Sequence, residues 1–256
     1  MPATIKLKEE FGDDLAIVLV ESQGADEERF MKFAAARKWL GRDMLWTRER
    51  PFSTGAGGLP NFALLDEEGR VVLMGNPLSL HGQIEDEITA AIARARKGPK
   101  DLPKSAAKVR GMVAKGDWAK AQKQLERELP KAEGEEAQAL QAEAAELERR
   151  LDAQLARLRW LLENGYADRA LEQAEALVKG CKGNDALLAR TEPLAEEIEG
   201  AEAELAAAKA LGKLEAALYE DGPDAKLAKR LAKVAEDHAG TRVAARAAVL
   251  AGWADQ

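Results

Sequence analysis

The sequence predicts an α/β domain followed by an all-α domain. Three observations carry this. Up to about residue 97, short apolar runs of strand length alternate with amphipathic segments of helical period. Lys97-Gly98-Pro99-Lys100-Asp101-Leu102-Pro103 then breaks all periodicity with two prolines and a glycine. Beyond it the chain is rich in Ala, Leu, Glu, Lys and Gln, and no strand pattern returns. The expected organisation is therefore a first domain over 1–97, a linker over 98–104 and a helical domain over 105–256.

In the first domain, residues 2–11 read as a helix that Gly12-Asp13-Asp14 ends. Leu15 to Val20 is the longest apolar run and has the length of a buried strand. Residues 25–40 fit a second helix, with Phe30, Phe33, Ala34 and Trp39 among its apolar positions. A glycine-rich approach (Gly55, Gly57, Gly58) leads to Leu59-Pro60 and then to an apolar strand, Phe62 to Leu65. An X-Pro bond after a loop is a good place for a cis peptide, because proline lowers the cis penalty to roughly 0.5–1 kcal/mol. Asp66-Glu67-Glu68-Gly69 suits a tight reversal into a second strand, Val71 to Met74. An amphipathic helix closes the domain.

The helical domain carries a loose internal repeat. Residues 105–129, 151–180 and 203–238 each read as two amphipathic helices punctuated by a glycine, at Gly116, Gly165 and Gly222, with an aromatic close by (Trp118, Tyr166, Tyr219). Such a helix cannot bury its apolar stripe alone and must stack on neighbours. Residues 133–163 fit one long helix, with Leu140, Leu147, Leu151, Leu155 and Leu158 toward a neighbour. Glu135, Glu136, Glu143, Glu146 and Glu148 are expected on its solvated side.

Composition excludes several functions. The net charge of -7 argues against nucleic acid as the main partner, since holding phosphates requires a basic patch. No run of about 18 apolar residues exists to form a membrane segment. A mean hydropathy of -0.37 describes a soluble chain. No basic region followed by an apolar segment reads as a signal peptide, and the residues leave the compartment unknown. His81 and His238 are far apart, and the single cysteine, Cys181, can form no internal disulfide. No His, Cys or Ser constellation suggests a metal site or a hydrolase, so no metal, cofactor or catalytic residue is expected. Cys181, in Lys179-Gly180-Cys181-Lys182-Gly183, is expected as an exposed lone thiol in a helix–helix turn.

The block Leu59-Pro60-Asn61-Phe62-Ala63-Leu64-Leu65-Asp66-Glu67-Glu68-Gly69-Arg70-Val71-Val72 resembles the cis-proline hairpin of the thioredoxin superfamily. Upstream, residues 2–11 resemble the second half of the helix that follows the redox motif in that family, with Pro2 matching its kink. The resemblance implies a thioredoxin-like fold that begins after its own first strand and Cys-x-x-Cys. It also implies that Pro60 is the cis-proline and that the backbone of Leu59 pairs with a substrate peptide or partner thiol protein. Gly58 would let the loop approach another backbone closely. Trp39, Trp46 and Phe52 are expected to pack rather than bind. In the helical half, "Gly-x-(W/Y)-x-x-Ala" is similar to the turn of tetratricopeptide repeats. The turn glycines are 49 and 57 residues apart, however, whereas that repeat is about 34 long. A degenerate helical-hairpin bundle is the expectation.

In the family, the absent strand lies between those matching Leu15–Val20 and Phe62–Leu65. Its loss leaves a gap or forces those two to pair directly. Three accounts stand open. The leading expectation is that the chain belongs to a longer protein that supplies the strand and Cys-x-x-Cys. The others are a domain that lost its redox motif and rebuilt its sheet, or a strand given in trans. New sheet edges invite pairing with another chain, a dimer among the outcomes. Two functions follow. One is a thiol–disulfide oxidoreductase-like protein that is redox-inactive in this chain for want of Cys-x-x-Cys. The other is a non-catalytic protein- or peptide-binding scaffold that uses the helical array.

Overall fold

The computed structural model describes residues 2–40, 44–49, 53, 58–66, 68–97 and 101–255. By its contacts the chain divides into two compact units, Met1–Arg96 with Tyr219–Gly222, and Lys97–Leu218 with Pro223–Gln256. The molecule is mainly helical, with two small sheets among the described residues.

The first unit opens with α1, Pro2–Phe11. It tightens into a 3-10 turn over Gly12–Asp14, where Gly12 takes a φ of 52°. Lys8 Nζ donates to the carbonyl oxygens of Gly12 (2.7 Å) and Leu15 (2.9 Å) and so ties this turn down. β1, Ile17–Val20, follows. α2, Glu27–Ala36, starts at Asp26, whose carboxylate accepts from the Arg29 N–H at 2.8 Å and satisfies one of the free donors of the first turn. β2, Met44–Thr47, lies parallel to β1, with Ile17 opposite Met44 and Val20 opposite Thr47. β3, Phe62–Leu65, and β4, Val71–Gly75, form an antiparallel hairpin with a register shift between Leu64 and Leu65. α3, His81–Lys97, ends the unit.

β1 and β3 do not pair among the described residues. Each belongs to its own two-stranded sheet, and the strand beside β1 is β2. No strand is expected at 44–47 from the sequence. Met-Leu-Trp-Thr is a four-residue apolar stretch among arginines, too short for periodicity to mark, and its pairing with β1 makes it a strand.

The second unit is built from helical hairpins. α4 (Lys104–Val113) and α5 (Trp118–Glu128) turn at Gly116, and α6 (Gly134–Glu163) and α7 (Ala167–Cys181) turn at Gly165. α8 (Asp185–Glu199) packs on α7. α9 (Glu202–Asp221) leads through Gly222 into α10 (Ala225–Asp237), which packs on α11 (Arg242–Ala254). Gly116, Gly165 and Gly222 hold φ of 74°, 76° and 92°, left-handed values that a side chain would oppose. The turn residues predicted from sequence thus stand where the backbone needs them.

α6 is the single long helix expected. Leu140, Leu147, Leu151 and Leu158 are buried along one side of it, each worth roughly 1.5–3 kcal/mol of transfer out of water. Glu143 departs from the expectation of a solvated side chain. It lies on that same side, 2% exposed, and accepts from Arg110 of α4 at 2.7–3.2 Å. A carboxylate can stand on a buried stripe only with such a partner.

Candidate functional site

The loop that the sequence marks, Gly58-Leu59-Pro60, is exposed and enters β3 directly. The Leu59–Pro60 peptide is cis. Leu59 is 60% exposed, and among the described residues nothing beyond its chain neighbours lies within 4 Å of where a Gly58 side chain would begin. Gly55, Gly57 and Phe52 lie outside the described residues. Behind the loop, the hairpin turn is fixed by Asp66, whose Oδ1 accepts from the N–H groups of Arg70 (2.9 Å) and Glu68 (3.0 Å). The Arg70 bond is the chief cause that holds its carboxyl below the usual range. Gly69, at φ 78°, closes the reversal.

Trp39 and Trp46 pack, as expected. Trp46 stacks on Phe30 at 5.5 Å between centroids, and Trp39 meets Phe33 edge-on at 5.2 Å. Elsewhere in this unit a cavity of about 330 Å³ lies between α1 and α3, lined by Ala3, Lys6, Leu7, Glu10, His81 and Glu85. His81 Nδ1 stands 3.6 Å from Glu85 Oε1. Among the described residues no group of three or more His, Cys, Asp or Glu could hold a metal ion, and no helix is long and apolar enough to cross a membrane.

Cys181 corrects the expectation of an exposed thiol. It is the last residue of α7 and is fully buried. Burial pushes its pKa up, against smaller opposing effects from a hydrogen bond with Thr191 and the charge of Arg190. Thr191 is itself buried and donates to the Leu187 carbonyl at 3.0 Å. A nucleophilic cysteine needs access and a lowered pKa. Cys181 has neither, and its place is in the packing of α7 on α8.

A polar cluster in the second unit joins residues that are far apart in sequence. Arg246 of α11 stacks over the Tyr166 ring at 3.7 Å, donates to the Gly165 carbonyl at 3.2 Å and pairs with Glu215 of α9. Trp160, half exposed, stacks on Tyr166 at 5.7 Å between centroids, and the Arg169 guanidinium also lies over the Tyr166 ring, 5.6 Å from its centroid. Burial lowers the Arg246 pKa from its ordinary value. The arrangement fastens the α6–α7 turn to α9 and α11. Tyr166 stands out in the sequence as a turn aromatic, but Arg246 is 80 residues away and no local pattern joins the two.

Comparison of the chain with protein families, with curated proteins and with solved structures found no match.

Proposed function

We propose that the chain is a thioredoxin-like protein without thiol chemistry, and that it binds an extended peptide at the Leu59–Pro60 loop. The observation that carries the first part is the burial of Cys181, the only thiol in the sequence. Thiol–disulfide exchange runs through an accessible thiolate, and this chain offers none. The element order supports the thioredoxin-like reading in part: helix, strand and helix come first, and Leu59–Pro60 leads into an antiparallel hairpin and a closing helix, with the additional strand β2 between the second helix and Leu59–Pro60. The exposure of Leu59 supports the peptide-binding reading, because an extended peptide takes its selectivity from side-chain contacts beside the main-chain hydrogen bonds that hold it.

A benzophenone side chain placed at position 59 of the whole protein tests it. Irradiated with reduced, carboxymethylated insulin B chain, it should cross-link the peptide, and the same group at exposed Val249 in α11 should not. Equal labelling at both positions, or none at position 59, would count against the loop as a peptide site.

The scaffold reading that uses the helical array rests on Trp160. A half-exposed tryptophan supported by a tyrosine and flanked by arginine has the composition of interface hot spots.

A further inference from the structure

Many charges on the surface of the second unit are paired with a neighbour on the same helix or the next. Arg149 and Arg150 hold Glu146, Arg190 holds Glu148 and Asp152, and Lys120 holds Asp117. Two helices depart from this. On α10, Lys226, Lys229, Arg230 and Lys233 are all exposed and form one cationic stripe at i, i+3, i+4 and i+7. Lys233 pairs with Asp237 at 3.1 Å, and among the described residues the other three side chains have no ion-pair partner. On α8, Glu192, Glu196 and Glu199 are exposed at i, i+4 and i+7 and are likewise unpaired among the described residues. From 191 to 208 the chain has six glutamates and no lysine or arginine.

Both stripes run against what stabilises a helix from within. Like charges three or four residues apart repel, and each stripe is made of such pairs. Cations are disfavoured in a first turn and anions in a last turn. Lys226 lies in the first turn of α10 with no acid beside it, and Glu196 and Glu199 lie in the last turn of α8 with no cation. The buried sides of the two helices are formed by other residues, Leu227, Leu231 and Val234 on α10 and Leu187, Leu194 and Ile198 on α8. The stripes therefore serve neither the core nor their own helices.

They do complement each other. Glu192, Glu196 and Glu199 repeat the spacing of Lys226, Arg230 and Lys233, a span of about 10 Å along either helix. A nucleic acid or an anionic membrane would also meet the acidic stripe and a net charge of -7. A second copy presents opposite charge at matching spacing. We infer that the glutamate stripe of α8 in one copy docks on the cationic stripe of α10 in a second copy of this chain. Unlike surfaces meet, so the contact is heterologous and leaves each copy a stripe for the next. Exposed ion pairs are individually weak and screened by salt, so the association is concentration-dependent and confined to low ionic strength.

Sedimentation velocity of the whole protein reads this over a concentration series, from about 10 mM to about 1 M salt, where screening lengths fall from about 30 to about 3 Å. Association is expected at the low end and its loss at the high end. A variant with Lys226→Glu, Arg230→Glu and Lys233→Glu should associate at least about tenfold more weakly. So should one with Glu192→Lys, Glu196→Lys and Glu199→Lys. Mixing the two variants restores opposite charge across the contact and should restore association, which also shows that both are folded. Reversing exposed Lys115, Lys123 and Lys131 to Glu changes the net charge equally and should leave the parent's behaviour. A parent that stays monomeric at low salt overturns the inference. So does association indifferent to salt or to either triple variant, or a mixture of folded variants that does not associate. Binding of a monomeric parent to phosphatidylglycerol vesicles, lost on reversal of the α10 stripe, would put a lipid surface in place of the second copy. None of these readouts involves the Leu59–Pro60 loop, so failure here leaves the proposed function standing.

Discussion

Cys181 reads as exposed when only its neighbours Lys-Gly and Lys-Gly are considered, and as buried when the helix is followed to its end. Ala170, Ala174, Leu177 and Cys181 follow one another at helical spacing along α7, and all four are buried. The burial was therefore legible in the period but hidden by the turn-like composition. A thiol-specific disulfide reagent should react with the native protein far more slowly than with the protein in denaturant. Equal rates would show the thiol to be open. Glu143 repeats the lesson with a different limit. Its spacing from Leu140 and Leu147 put it on the buried stripe of α6, but its partner Arg110 is 33 residues away and no local signal names it. Arg110→Ala leaves the carboxylate buried and unpaired and should destabilise the protein by about 3–5 kcal/mol. Replacing both residues with apolar ones of similar volume should cost much less. Denaturant unfolding of the single and double variants separates the two outcomes.

Glycines made the helical elements easy to divide, because a left-handed turn residue leaves a compositional mark and a partner surface does not. Gly116 and Gly165 stand at the turns of the packed pairs α4–α5 and α6–α7, whereas Gly222 links α9 to α10, which packs on α11 instead. Gly180 carries a constraint invisible in sequence. It lies in α7 with ordinary helical backbone, yet a methyl group there would collide with the carbonyl oxygen of Gly116 and come within 2.7 Å of Trp118 Cδ1. Gly180→Ala, favourable in an isolated helix, should here destabilise by about 1–3 kcal/mol, because the obstacle is backbone at a close-packed crossing. A higher melting temperature for this variant would contradict that contact. α6 also carries an acid-sensitive cluster. Hydrogen bonds from Arg149 and Arg150 hold Glu146 at a pKa of about 2. A carboxyl depressed by folding stabilises the native state above its unfolded pKa, near 4.5, and that contribution disappears as pH falls toward 2. Solvent screening keeps its size at or below about 1 kcal/mol. Glu146→Gln should therefore narrow the stability difference between pH 7 and pH 2.5, measured by denaturant titration at each pH. Among the strands, the hairpin of Phe62–Leu65 and Val71–Gly75 was legible from its turn residues, whereas β2 depends on a tertiary neighbour and left no periodic signal.

Burial is distributed unevenly over the molecule. In the first unit the buried apolar residues among those described are Ala34, Ala35, Ile84 and Ile88. The second unit buries leucines along every one of its long helices. Opening free energy follows local burial, so hydrogen exchange should be slowest in α6, α7 and α10 and markedly faster in β1 to β4. The reverse order would contradict the assignment of the main core to the helices. At this scale the sequence disclosed the change of grammar near residue 97 but not the separation of the strands into two sheets, since pairing is decided by contacts between distant segments. The central claim is that the single thiol, buried in the packing of α7 on α8, serves packing rather than the chemistry that the proposed thioredoxin-like reading would otherwise suggest. Reduction of insulin by dithiothreitol, followed by turbidity, tests it most directly. The account predicts that the protein and its Cys181→Ala variant both leave the rate at the level of dithiothreitol alone. Acceleration by the parent protein that is lost in Cys181→Ala would contradict it.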